Sequence, residues 1–337
     1  MSLSFARRVR TSLVLTAALA IATSCGGGGG GGGGSPAGTG GTGLVDGASV
    51  VPSPIFAAQT SFPGEFAADF IRRVRFTKLI VEIDYAAGHA PAASVLTLLQ
   101  TRIQDRCDKP GGVTVVLDDS IPLSEFKATP QNVTDIEALE NAHRDNFANS
   151  NTQTEVLYIL FVKGTSDIAG GGAGSQVLAI TYHGSSVALF TDVAESNNSA
   201  AQTTAEVEGA ALVHEAGHAL GLVNGGCPMV MQHEDTTHAG HDVSSASVMY
   251  WQIKIPFVSP NIGDPTFALF GNNCELDIAA AGGLPASPFP AHILPASLEP
   301  VMIPIGQCGT CLLAEQRAAA AAVAAGAGGA HACPSAR

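Results

Sequence analysis

The segment His214-Glu215-Ala216-Gly217-His218 constrains this chain more than any other part of it. Residues four apart lie on one face of an α-helix, about one turn along its axis. Two imidazoles so placed can reach one metal ion, with zinc–nitrogen distances of about 2.0–2.1 Å. Glu215 then stands beside the first imidazole, where its carboxylate can address a metal-bound water rather than the metal. The flanking residues supply the helix. Thr203 with Glu206 three residues later has the capping-box pattern and opens EVEGAALVHEAGHAL. A catalytic zinc site needs three protein ligands and an open position, so one further ligand must come from outside this helix.

Upstream, the periodicity is that of a mixed sheet. Leu79, Val81, Ile83 and Tyr85 share one face of a strand over 78–85. Pro91 opens a helical stretch carrying Val95, Leu98, Leu99 and Ile103, and Gly111-Gly112 ends it. VTVVL at 113–117 reads as a strand, and Thr134 with Glu137 as the capping box of a helix over 135–147. EVLYILFV at 155–162 is a continuous apolar run, suited to a central strand buried on both faces. Strands over 177–183 and 186–192 follow, joined through Gly184-Ser185, before the helix of the histidines. Alternating strands and helices of this kind make an α+β or α/β fold, a mixed sheet with packed helices. After residue 221 the chain turns loop-rich, with a short helix expected over 274–281. The folded domain is placed at 61–311 and an Ala/Gly-rich tail at 312–337.

The N-terminus reads as an export signal at 1–24. Arg7, Arg8 and Arg10 precede the apolar run TSLVLTAALAIA, which is too short for a bilayer span of about 20 residues. The run ends in Ala22-Thr23-Ser24-Cys25, which resembles the lipobox of bacterial lipoproteins and implies lipidation at Cys25. Residues 26–34 are all glycine, and 25–60 read as a flexible tether. The expected location is the cell envelope, in the periplasm, at the outer membrane or on the surface, with the lipid anchor as the membrane contact. The formal net charge of −13 argues against nucleic acid or anionic headgroups as partners. Six cysteines remain beyond Cys25, an even number that in an exported protein predicts partial or full disulfide bonding. Arg106-Cys107-Asp108-Lys109-Pro110 lies at the end of a predicted helix and reads as a structural cysteine.

Gly221 follows His218 by three residues, giving HEAGHALG, and Ser247-Val248-Met249-Tyr250-Trp251 lies downstream. Here the chain resembles the metzincin clan of zinc endopeptidases, whose signature is HExxHxxGxxH followed by a methionine-containing turn. The resemblance covers roughly residues 76–251. It implies a zincin-like twisted mixed sheet, an irregular C-terminal subdomain, and a cleft between them for a peptide or protein substrate. It implies zinc as cofactor, His214 and His218 as ligands, and Glu215 as general base and then acid. Gly221 would turn the chain out of the helix, and Met249 would form a hydrophobic floor beneath the metal. The strand around 177–183 resembles the cleft-edge strand to which such proteases add substrate backbone. Trp251 occupies the position of the clan's transition-state tyrosine, so no oxyanion tyrosine is assigned.

One position departs from the signature. Asn224 stands where the clan has its third histidine, and a neutral amide is a poor zinc ligand. Within MQHEDTTHAGHD the candidates are His233, Glu234, Asp235, His238 and His241. In matrixin-type relatives the third histidine precedes the turn methionine by about eight residues, the spacing of His241 from Met249. His241 is therefore the favoured ligand, with His238 and His233 as alternatives. Two rival functions stay open: a metal-binding envelope protein without peptidase activity, and a zinc hydrolase of non-peptide amides or esters.

Overall fold

The computed structural model describes residues 61–167, 177–198, 202–255, 262–284 and 301–303. The expected signal, Cys25, the glycine tether, the tail, and Cys308, Cys311 and Cys333 lie outside these residues. Helix α1 (Ala67–Ile71) leads into strand β1 (Lys78–Ala86), helix α2 (Ala93–Gln104) and strand β2 (Val113–Ile121). Helix α3 (Val133–His143), strand β3 (Thr154–Val162), strand β4 (Ala179–His183) and strand β5 (Ser186–Phe190) follow. Then come helices α4 (Thr191–Ser196) and α5 (Thr204–Ala219), strand β6 (Ile253–Ile255), helix α6 (Asn272–Ala280) and strand β7 (Val301–Ile303).

The first five strands form one sheet in the order β2-β1-β3-β5-β4. β2 and β3 flank β1 in parallel, and β5 runs parallel to β3. β4 is antiparallel to β5, as the two-residue Gly184-Ser185 connection requires. The apolar run in β3 is buried at every position, as its place inside the sheet demands. The α2 crossover carries the chain from β1 to its parallel neighbour β2, and α2 in turn packs against α5. Leu79, Val81 and Ile83 are buried, and the intervening Glu82 and Asp84 are buried too. These carboxylates are satisfied by partners distant in sequence. Glu82 accepts from the Asp145 and Asn146 amides at 2.7 and 2.8 Å, and Asp84 from the Tyr158 hydroxyl at 2.9 Å.

Three expectations need correction. α3 begins two residues earlier than expected, because Asn132 and not Thr134 caps it, and it ends at His143 rather than at 147. The Asn132 side chain accepts from the Asp135 amide, and Asp135 accepts from the Asn132 amide. The strand expected over 186–192 stops at Phe190, where Thr191 starts α4. Cys107, Cys227 and Cys274 are buried free thiols, so full disulfide bonding of the six is ruled out, and the pairing of Cys308, Cys311 and Cys333 lies outside the described residues. Cys107 packs in the core, while Lys109 donates to the Asp69, Arg72 and Phe76 carbonyls and closes the end of α1. Among the described residues, no helix is long and apolar enough to cross a membrane.

α5 lies against β4, β5 and α2. Its capping box is formed: Thr203 Oγ1 accepts from the Glu206 amide at 3.3 Å, and Glu206 accepts from the Thr203 amide at 2.7 Å. From Val207 to Ala219 every residue is buried. Apart from Glu208 and the HExxH side chains, this stretch is apolar or small, and Gly209 shows why. A Cβ there would lie 2.9 Å from the Leu98 side chain on α2. Gly221 ends the helix with φ +73, and the Leu222 amide reaches back to the Gly217 carbonyl at 3.0 Å, a Schellman closure. Residues 222–252 carry only isolated bridges, Glu234 to Asp242 and Asp242 to Tyr250, as an irregular subdomain.

Candidate metal centre

Helical spacing puts His214 and His218 on one face of α5, their Nε2 atoms 3.1 Å apart. The irregular segment brings His241 to them, its ring centroid 5.2 Å from that of His214 and 5.1 Å from that of His218. One ring nitrogen from each of the three lies within 4.8 Å of the others. His238 and His233 take other places. His238 stacks on Trp251 at 4.0 Å and pairs with Asp235, and His233 lies in a separate cluster with Asp242, Cys274 and Asp277. Asn224 turns the chain at φ +66 and donates to Glu234 at 3.2 Å. Glu234 also accepts the Gly240 amide, and the Asp235 amide bonds the His241 carbonyl, so the loop is tied across its own base.

The tautomers suit a cation. His214 Nδ1 donates to the Val248 carbonyl at 2.7 Å, and His241 Nδ1 to the His238 and Ala239 carbonyls at 3.2 and 3.1 Å. A neutral ring with Nδ1–H carries its lone pair on Nε2. His241 Nε2 is buried without a hydrogen-bond partner. Burial pushes His214 down to about 3 and His241 to about 4, and lowers His218 well below its ordinary value. All three rings are therefore neutral near pH 7, the form that ligates. Three imidazoles with converging lone pairs are a donor set that zinc accepts.

Glu215 is buried beside them. Its Oε2 accepts from the Thr181 hydroxyl at 2.8 Å, and its Oε1 is buried with no partner. Burial raises its pKa to about 7, against the lowering effect of the Thr181 bonds. A carboxyl so poised can take and return a proton near neutral pH. Met249 is buried against the underside of α5, where a Cβ at Gly217 would meet its Sδ at 2.2 Å. The second variable position of HEAGH is thus a packing slot for the methionine.

Sequence reasoning missed Thr181, the Val248 carbonyl and Gly217 as parts of the site. Thr181 lies on β4 and meets Glu215 across 34 positions of sequence, with no local signal. Val248 was legible only as the neighbour of Met249. Cys25 lies outside the described residues.

No protein-family model matches the chain, and no curated protein does. Among solved structures, archaemetzincin from Methanopyrus kandleri matches with a TM-score of 0.37 and 14% identity, over 62% of this chain and 96% of that one.

Proposed function

We propose that this chain is a zinc-dependent hydrolase that cleaves peptide bonds with water. The observation carrying the reading is the convergence of three neutral, buried imidazoles on one point, with the unpartnered Glu215 Oε1 beside them. His214, His218 and His241 would hold the ion. When bound, zinc supplies Lewis acidity, lowering the pKa of water to about 7 and polarising a carbonyl. Glu215 Oε1 takes the proton from water and passes it to the leaving amine, while Thr181 holds Oε2 and fixes the direction of the free oxygen. The Val248, His238 and Ala239 carbonyls keep the two ring tautomers fixed throughout.

Peptide as substrate is supported by β4. It is the outer strand of the sheet and carries Thr181, so a chain pairing with it would run past Glu215. All five residues of β4 are buried, and this favours the second reading, hydrolysis of small amides or esters. Metal content and casein-type proteolysis of the purified chain, Glu215→Ala and His241→Ala test the proposal together. Wild type should hold zinc and cleave. Glu215→Ala should keep zinc and lose about 10²–10⁴-fold in rate. His241→Ala should lose zinc. Zinc without cleavage of any peptide pool would move the small-substrate reading ahead, and full activity in His241→Ala would remove the third ligand.

Export and lipid anchoring at Cys25 belong to the same proposal, supported by the Arg-rich, apolar, small-residue order of the N-terminus. Cys25→Ser should move the protein from the membrane to the soluble fraction.

A further inference from the structure

A second group of ligand-type side chains lies buried outside the triad. His233, Asp242 and Cys274 each bring one donor atom, and the three lie within 4.8 Å of one another. The first two come from the irregular segment and the third from the first turn of α6. His233 Nε2 donates to Asp277 Oδ2 at 2.9 Å, a contact between two side chains with no solvent exposure. With Nε2 engaged in that bond, Nδ1 is the ring nitrogen left to face Asp242. Nδ1 is buried with no hydrogen-bond partner, and it stands 3.6 Å from Asp242 Oδ2. A ring nitrogen and a carboxylate oxygen thus face each other out of water with no hydrogen bond made between them, a place that a cation would satisfy. Cys274 Sγ approaches the same carboxylate oxygen at 3.5 Å.

We propose that His233 Nδ1, Asp242 Oδ2 and Cys274 Sγ bind a second divalent transition-metal ion, zinc by the preference of a mixed nitrogen, oxygen and sulfur donor set. Binding displaces the Cys274 thiol proton to solvent, so thiolate and carboxylate together match the charge of the ion. Asp277 acts from behind, fixing the ring of His233 as carboxylates do for metal-bound imidazoles. It also accepts the Val230 amide at 2.6 Å, which joins the start of the irregular segment to α6.

The site is placed to brace the loop that carries the third histidine. Asp242 adjoins His241, and its amide donates to the Met249 carbonyl at 2.8 Å. The Val243 amide donates to the His233 carbonyl at 2.8 Å. Gly271 caps α6 against this cluster, and a Cβ there would lie 2.8 Å from Asp242 Oδ2. An ion here would therefore pin α6 to both ends of the segment from His233 to Met249.

Cobalt substitution tests the site without depending on hydrolysis. The metal-free full-length chain is titrated with Co²⁺ while the ultraviolet thiolate-to-metal charge-transfer band is followed. A triad of imidazoles has no sulfur and cannot give that band. Wild type should take up two equivalents and show the band. The Cys308→Ser/Cys311→Ser variant should behave the same, which excludes the closely spaced pair Cys308-Gly309-Thr310-Cys311 as its source. Cys274→Ser should lose the band and one of two equivalents, and His214→Ala should keep the band and lose the other. Absence of the band in wild type, or its loss with Cys308 and Cys311 alone, would overturn the proposal. The wild-type measurement stands even if Cys274→Ser fails to fold. Failure of the triad reading would look different, as one bound equivalent with the band intact in His214→Ala and wild type alike.

Discussion

The sheet with α5 and the segment from Leu222 to Gln252 are held by different means. The first rests on backbone ladders and on apolar side chains buried over β1, β3, β5 and α5. The second has few ladders and is tied by polar side chains reaching nearby backbone. Asp235 accepts from Thr237, Asp242 from the Ser244 amide, and Ser247 Oγ from the Met249 and Gly271 amides. The candidate metal centre takes two histidines from the first region and one from the second. Periodic burial can position a pair of ligands, but a loop of local hydrogen bonds has to supply the third. The two regions should therefore respond differently to the same kind of damage.

The largest difference should come from cavity creation in the sheet. Phe161→Ala on β3 removes a side chain with no solvent exposure and should lower unfolding free energy by about 3–5 kcal/mol, read as a lower denaturant midpoint at unchanged slope. A loss below about 1 kcal/mol would mean that the sheet is not the stability core.

Acidity should separate the regions next. Burial, and then the charge of Glu195, raises Glu208 on α5 to about 7, and burial raises Glu155 on β3 to about 7. Folded values above unfolded ones stabilise fully below about pH 4.5, and that contribution is lost as pH rises through 7. Asp235 in the loop goes the other way. Although burial alone would raise it, hydrogen bonds from Thr237 and His238 hold it below the usual range, so its contribution is lost as pH falls. Glu208→Gln should flatten the decline in stability between pH 4.5 and 7 by about 1–3 kcal/mol in pH-resolved denaturation. An unchanged profile would show that Glu208 is solvated in solution.

The smaller effects sharpen the contrast. Thr203→Ala removes the α5 cap and should cost about 1 kcal/mol of global stability. Asn224→Gly should cost less than about 1 kcal/mol, because it removes one exposed bond to Glu234 while tolerating the φ of +66. Its signature should instead be faster zinc release to a chelator, since Glu234 anchors the loop that carries His241. Equal release rates in both variants would erase the distinction between the regions.

The same division governs what could be read from the sequence. Amphipathic and apolar periods place β1, α2, β3 and α5 within a few residues, because burial acts on near neighbours in the chain. The boundaries of α3 and β5 shift where a cap or a turn chooses among adjacent polar residues. His233, His238 and His241 looked alike as members of one polar cluster. Their fates were set by Asp277, Trp251 and the α5 pair, each at least eight positions away, which no local pattern encodes. His241 was favoured through its spacing to Met249, and the structure brings it to the pair. The buried charges of Glu82 and Asp84 were invisible for the same reason, since their partners are amides beyond α3 and in β2 and a hydroxyl on β3.

The encasement of α5 has a consequence for how an ion would leave. Amides from Val207 to Ala219 are shielded on every side, so their hydrogen exchange should require opening of the whole domain, whereas those around His241 should exchange through local excursions. An ion at the centre would then lose one ligand long before the other two. Its departure would pass through a two-histidine intermediate still clasped by a helix that opens only with the domain. Competing chelators would act on that intermediate, and the frequency of loop opening would set the pace of metal exchange.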